Sequence, residues 1–80
     1  MTKEQEHHIW NEYGTEMMEA KDWIDKHQND DKTKKFLYLM NQSTMIHSDL
    51  WSQIYDYFAE NYDANDRPNI TGMTYLMEVL

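Results

Sequence analysis

Three residues near the start of the chain have the types and the spacing of metal ligands on one helix. Glu4, His8 and Glu12 follow one another at intervals of four residues, so a helix would carry them on one face. Imidazole nitrogen and carboxylate oxygen are both zinc ligands. A single helix presents such groups in a line, without tetrahedral closure, and the chain has no HExxH pattern. The sequence therefore predicts no metal site.

The run His47-Ser48-Asp49 contains the residue types of a hydrolase triad. Catalytic triads are assembled by geometry between distant segments, so adjacency in the sequence is not a signal for one. The chain has no cysteine, no glycine-rich phosphate loop and no spaced set of carboxylates and histidines. We therefore expect neither an enzyme nor a bound cofactor, and we interpret His47 as a histidine with satisfied hydrogen bonds at a hinge between two helices.

One short basic segment has an aromatic residue beside it, which is a pattern found in nucleic-acid contacts. It contains Lys32, Lys34, Lys35 and Tyr38. The whole chain, however, carries a formal charge of −8 and would repel nucleic-acid phosphates and anionic membranes. We expect no direct nucleic-acid or membrane partner. The lysines are then solvated or paired with acids of the first helix.

The first helix is predicted over about residues 3–27, with a capping box formed by Thr2 and Gln5. Its apolar stripe predicts the buried face, although the same spacing also fits a coiled-coil seam. The stripe consists of Trp10, Tyr13, Met17, Ala20 and Ile24. Gly14 inside the helix indicates either a close helix contact or a bend.

Acidic residues fill the gaps of that stripe, and they have two interpretations. They are either a solvated surface that keeps the protein soluble, or a face that imitates nucleic-acid phosphates and docks on a basic groove. These candidate partner-binding residues are Glu12, Glu16, Glu19, Asp22 and Asp25.

Two further helices are predicted over about 33–46 and 49–62, with Ser48 as the N-cap of the second; one kinked helix over 33–62 is the alternative. Pro68 and its polar neighbours predict a loop. A last helix over about 72–80 would be capped by Thr71, although alternating apolar residues there also fit a strand. The predicted fold is therefore all-α: a single acidic domain, residues 1–80, built as a compact three- to four-helix bundle.

The 49–62 helix has an unusually wide apolar face, which is typical of a helix that packs against two neighbours. Part of this face is aromatic, and exposed aromatic residues often mark protein interfaces. The aromatic candidates for partner binding or homo-oligomer formation are Trp51, Tyr55, Phe58 and Tyr62.

In size, in charge and in the lack of a catalytic motif, the chain resembles small inhibitors encoded by phages and mobile elements, including anti-restriction, anti-CRISPR and DNA-mimic proteins. No motif carries this resemblance. It implies a non-catalytic protein that binds a larger protein with a basic surface. The alternative is a structural or regulatory adaptor that forms a homodimer or higher oligomer. We find no signal peptide or membrane span and expect a cytoplasmic protein.

Overall fold

The first helix, α1, spans Lys3–His27 in the computed structural model of the chain, which describes residues 2–42 and 45–79. Its start is the predicted capping box: the Gln5 amide donates to the Thr2 hydroxyl (3.2 Å), and the Thr2 amide donates to the Gln5 side chain (3.0 Å). These two bonds satisfy backbone donors that the first turn leaves open. The predicted bounds of 3–27 are confirmed.

A bend interrupts α1 at Tyr13, whose backbone is non-helical (φ −123°, ψ 16°). Gly14 follows directly, and a Cβ placed on it would meet no atom within 4 Å. Of the two interpretations of Gly14, the bend is correct and the close helix contact is wrong. The close contact is instead made by Gly72 in the last helix.

The middle of the chain forms two helices, α2 (Asp31–Asn41) and α3 (His47–Asn61), so the alternative of one kinked helix is wrong. Helix α2 begins earlier than predicted because the Asp30 carboxylate accepts a bond from the Lys32 amide (2.9 Å) and caps it. Ser48 is not an N-cap, since α3 already begins at His47. Residues 43 and 44 of the predicted 33–46 helix lie outside the described residues.

A short 3₁₀ helix (Ala64–Asp66) and the last helix, α4 (Ile70–Val79), complete the fold. The Gly72 amide donates to the Asn69 side chain (3.0 Å), so Asn69 caps α4 and Thr71 lies inside the helix rather than capping it. The strand interpretation is wrong, since residues 2–42 and 45–79 contain no strand. Residue 80, at the end of the predicted 72–80 helix, lies outside the described part of the chain.

The core has Phe58 of α3 at its centre. This ring is fully buried and contacts Trp23 of α1 (centroids 5.2 Å apart) and Phe36 of α2 (4.7 Å apart). Helix α4 packs against both α1 and α3. All four α-helices thus contribute to one core, and the predicted all-α bundle is confirmed. The buried apolar residues are Met17, Ala20, Trp23, Phe36, Met40, Leu50, Ile54, Phe58, Met73 and Leu76.

Helices α1 and α4 are antiparallel, as three successive contacts show. Asn69 donates to the Glu19 carboxylate (3.1 Å), Gly72 lies against the Glu16 backbone, and the rings of Tyr75 and Tyr13 stack with centroids 4.1 Å apart. Residue numbers rise along α4 while they fall along α1. This pairing covers one side of α1 and leaves its outer side exposed.

Candidate functional site

The five acidic candidates of α1 do not share one surface. Four of them are exposed, whereas Glu16 is half-buried beside α4. Each residue advances about 100° around a helix, so Glu16 and Asp25 lie about 180° apart, on opposite sides. Glu12, Glu19 and Asp22 are exposed and fall within about 80° of arc, and we call this the outer face of α1; Glu19 lies near its edge, beside α4.

A groove of about 550 Å³ runs along the outer face of α1, and we call it the α1 groove. Gly14 has no side chain, and residues one turn away on either side, Trp10 and Met18, border the gap. Met18 is 48% exposed, so part of its side chain is available at the surface. The groove is lined by Trp10, Asn11, Glu12, Gly14, Thr15, Met18, Glu19 and Asp22.

The acids that line this groove differ in whether their carboxylates are hydrogen-bonded within the protein. Glu19 accepts a hydrogen bond from Asn69, the residue that caps α4, so Glu19 also has a structural role. Glu12 and Asp22 are exposed, and their carboxylates take part in none of the hydrogen bonds or ion pairs within residues 2–42 and 45–79. Their charge is therefore available to a partner molecule.

The four aromatic candidates of α3 are divided between core and surface. Phe58 is fully buried, and the Tyr62 hydroxyl lies 2.9 Å from the Thr33 hydroxyl in a half-buried position. Trp51 (39% exposed) and Tyr55 (48% exposed) instead stack on each other at the surface, with centroids 5.3 Å apart and an angle of 11° between the rings. Only this Trp51–Tyr55 pair is placed where a partner or a second copy can reach it.

His47 pairs with α4 and not with its neighbours in the sequence. Its Nδ1 lies 2.8 Å from a carboxylate oxygen of Glu78, and its ring lies 4.7 Å from that of Tyr75. His47 thus has the hydrogen bond that we expected, and its side chain is 42% exposed. Because Ser48 and Asp49 follow His47 on an exposed helical turn, the three residues do not form a triad.

Tyr75 is held between α1 and α3 by ring contacts with Tyr13 and His47. Its interaction with the Tyr13 side chain, followed by burial, raises the pKa of Tyr75 to about 12. Burial likewise raises the pKa values of Tyr57 and Tyr62 above 10.0. The raised pKa values mean that the fold favours the neutral form of these three hydroxyls.

Two cations bind the carboxyl end of α3. Lys32 donates to the Asn61 carbonyl (3.0 Å), and Arg67 donates to the carbonyls of Phe58 (3.0 Å), Tyr62 (3.0 Å) and Ala59 (3.2 Å). Both side chains bind carbonyls at the end of α3 and oppose the negative end of the helix dipole. The Phe58 carbonyl also accepts the Tyr62 backbone amide (3.1 Å). Of the two expectations for the 32–35 lysines, pairing with acids of α1 is not observed within residues 2–42 and 45–79, whereas Lys34 and Lys35 are exposed, as the solvated alternative expects.

The described residues contain no group of three His, Asp or Glu side chains placed to hold a metal ion. None of the helices formed by residues 2–42 and 45–79 combines the length and the apolar character that a membrane span requires.

The α1 groove was not predicted from the sequence. Two signals for it were present: a glycine that weakens the middle of a helix, and Met18, an apolar residue well outside the buried stripe. These signals indicate a groove only when the bend at Tyr13 and the side of α1 that α4 covers are known. The sequence alone does not give either feature.

Fold and surface together define a small all-α protein with an acidic groove on its longest helix. No protein-family model, curated protein or solved structure matches this chain.

Proposed function

We propose that this protein is a non-catalytic protein-binding module, and that it docks a larger, basic protein on the outer face of α1. One observation carries the proposal: the α1 groove joins apolar walls, Trp10 and Met18, to the unpaired carboxylates of Glu12 and Asp22. Apolar contact supplies affinity, and complementary charge supplies attraction and orientation.

A negative outer face favours a basic partner through long-range attraction. The formal charge of −8 increases the rate of encounter with a basic surface, most strongly at low ionic strength. Binding at the outer face should consequently weaken as salt is added.

The more specific form of the proposal is an inhibitor of a nucleic-acid-handling protein, such as a host defence protein, with the carboxylates occupying phosphate positions. The outer face carries three charges between residues 12 and 22, along about 15 Å of helix axis, so their mean spacing is about 7.5 Å. One strand of DNA carries about one charge per 3.4 Å. The outer face is thus sparser than DNA, so we propose that apolar contacts at the groove contribute alongside charge imitation.

The test is a quantitative affinity capture from the native host with two matched variants. Glu12→Lys/Asp22→Lys reverses two charges at the groove. Asp56→Lys/Glu60→Lys makes the same change at exposed positions of α3. We expect the first variant to lose the partner and the second to retain it, with both remaining as helical as the wild type. Equal recovery by all three proteins would refute the proposal, and competition by duplex DNA for the captured partner tests the inhibitor form.

A second candidate function, a homo-oligomeric adaptor, is favoured by the Trp51–Tyr55 pair. Its two rings are about two-fifths to one-half exposed and lie outside the set of residues packed on the core. Aromatic residues placed in this way are enriched at interfaces. Light scattering over a wide concentration range tests this candidate: a monomer throughout excludes it, and a dimer that Trp51→Ser dissociates supports it.

A further inference from the structure

We infer that the α1 groove is a receptor for an arginine side chain of the basic partner. The inference rests on the proposed function and adds to it the chemistry of the contact. Three features of the groove support it: the open space at Gly14, the lining by Trp10 and Met18, and the unpaired acids Glu12 and Asp22.

Gly14 leaves a gap that the fold of this chain does not require. A glycine in the middle of a helix costs about 1 kcal/mol relative to alanine. Neither packing nor backbone conformation demands it here, because a Cβ would meet no atom within 4 Å and no described residue has a positive φ. The non-helical residue of the bend is Tyr13, so the bend beside Gly14 does not itself require a glycine. The space above Gly14 is thus available to a group from another molecule.

The walls of the groove suit a flat cation with an apolar stem. Trp10 offers an aromatic surface, and Met18 offers a flexible, polarisable one. A guanidinium group is planar and weakly hydrated, and it stacks on aromatic rings. An ammonium group is compact and strongly hydrated, so it loses more by leaving water.

Two acids that line the groove supply negative charge, which is opposite to the charge of arginine. Glu12 and Asp22 are exposed and unpaired within the described residues. A guanidinium can donate two parallel bonds to one carboxylate, which fixes its orientation as well as its position. Apolar walls together with carboxylates on the rim therefore favour arginine over both lysine and a purely apolar side chain.

The experiment is an amide-resolved NMR titration of the full chain with a short helical peptide that carries arginine and leucine on one face. Two matched peptides replace every arginine by lysine, which keeps the charge, or by citrulline, which keeps the shape without the charge. We expect shifts concentrated at residues 10–22, with affinity about fivefold lower for lysine and about tenfold lower for citrulline.

Gly14→Leu is the decisive variant, since it fills the groove while improving helix propensity. Ser52→Leu, at an exposed position of α3, is the matched control. We expect Gly14→Leu to weaken arginine-peptide binding about tenfold and Ser52→Leu to leave it unchanged. Circular dichroism on both variants verifies that the fold is retained.

The outcomes separate this inference from the proposed function. If the arginine peptide binds wild type and Gly14→Leu equally but no longer binds Glu12→Lys/Asp22→Lys, the inference of an arginine site in the groove is wrong. The proposal that a basic partner docks on the outer face of α1 then still stands. Unchanged binding to the charge-reversed protein overturns both. Absence of binding to the wild type at about 1 mM peptide, a free energy weaker than about −4 kcal/mol, also overturns the groove inference. In that event the host-capture experiment alone decides the proposed function.

Discussion

Gly72 of α4 lies directly against the backbone carbonyl of Glu16 in α1, and a Cβ on Gly72 would overlap that carbonyl. The two helices therefore approach each other backbone to backbone at this point. The Asn69–Glu19 hydrogen bond and the Tyr13–Tyr75 stack lie on either side of it. This close approach holds one side of α1 against α4 and directs Glu12 and Asp22 outward.

The two glycines should respond in opposite ways to alanine. Gly72→Ala should lower the free energy of unfolding by about 3 kcal/mol or more, because the atoms that it overlaps are backbone and cannot rotate away. Gly14→Ala should raise it by about 0.5–1 kcal/mol, because the site is open and alanine favours the helix. Urea denaturation of the two variants measures both values. A neutral Gly72→Ala would contradict the close packing of α1 on α4.

Arg67 should stabilise the carboxyl end of α3. Removing its side chain in Arg67→Ala leaves three carbonyls without their charged donor, and we expect a loss of about 1–2 kcal/mol in unfolding free energy. Arg67→Lys should recover only part of the loss, since an ammonium group cannot reproduce the fork of the guanidinium. Denaturant melts of both variants provide the measurement, and equal stability of Arg67→Ala and wild type would exclude this role.

Alkaline pH should weaken the fold through Tyr75. Its pKa is raised from 10.0 to about 12, first by the interaction with Tyr13 and then by burial. Neutral Tyr75 is thus favoured in the folded state, and this contribution is fully present below about pH 10 and lost as the pH rises through about 12. We expect the unfolding free energy to fall across that window, and to fall less steeply in Tyr75→Phe. A Tyr75→Phe protein with the same slope as wild type would show that another group is responsible.

The aromatic residues of α3 should separate into core and surface by their effect on stability. Phe58→Ala should cost about 3–5 kcal/mol, because it empties the centre of the core. Trp51→Ser/Tyr55→Ser should cost less than about 1 kcal/mol, because it removes only a stacked pair at the surface. Thermal melts of the two variants give the comparison. A loss above about 3 kcal/mol in the surface variant would place the Trp51–Tyr55 pair in the core.

Most of the helices could be predicted from the sequence because their signals are local. The capping box of Thr2 and Gln5 and the apolar period of α1 depend on residues within a few turns of one another, and both were correct. The predictions missed the starts of α3 and α4 by one or two residues. The sequence offers Ser48 and Thr71 as caps, but α3 begins at His47 and α4 is capped by Asn69. His47 and Asn69 also bond distant residues, Glu78 and Glu19, and a local pattern does not reveal such contacts.

The candidate site was only partly predictable for the same reason. Periodicity placed all five acids in the gaps of the apolar stripe of α1, but it could not show that Glu16 lies half-buried beside α4 while Glu12 and Asp22 stay exposed. The pattern of α3 placed Trp51 and Phe58 on one wide apolar face. Packing divides that face, because the neighbouring helices cover Phe58 and leave Trp51 at the surface.

The central claim, that a basic partner docks on the outer face of α1, is tested most directly by isothermal titration of the captured host protein against three forms of this chain. We predict that Glu12→Lys/Asp22→Lys lowers the affinity at least about tenfold, while Asp56→Lys/Glu60→Lys, with the same net charge, stays within about threefold of wild type. Equal weakening by the two variants would show that only overall charge matters. Undiminished affinity in both would show that the partner binds elsewhere on the molecule.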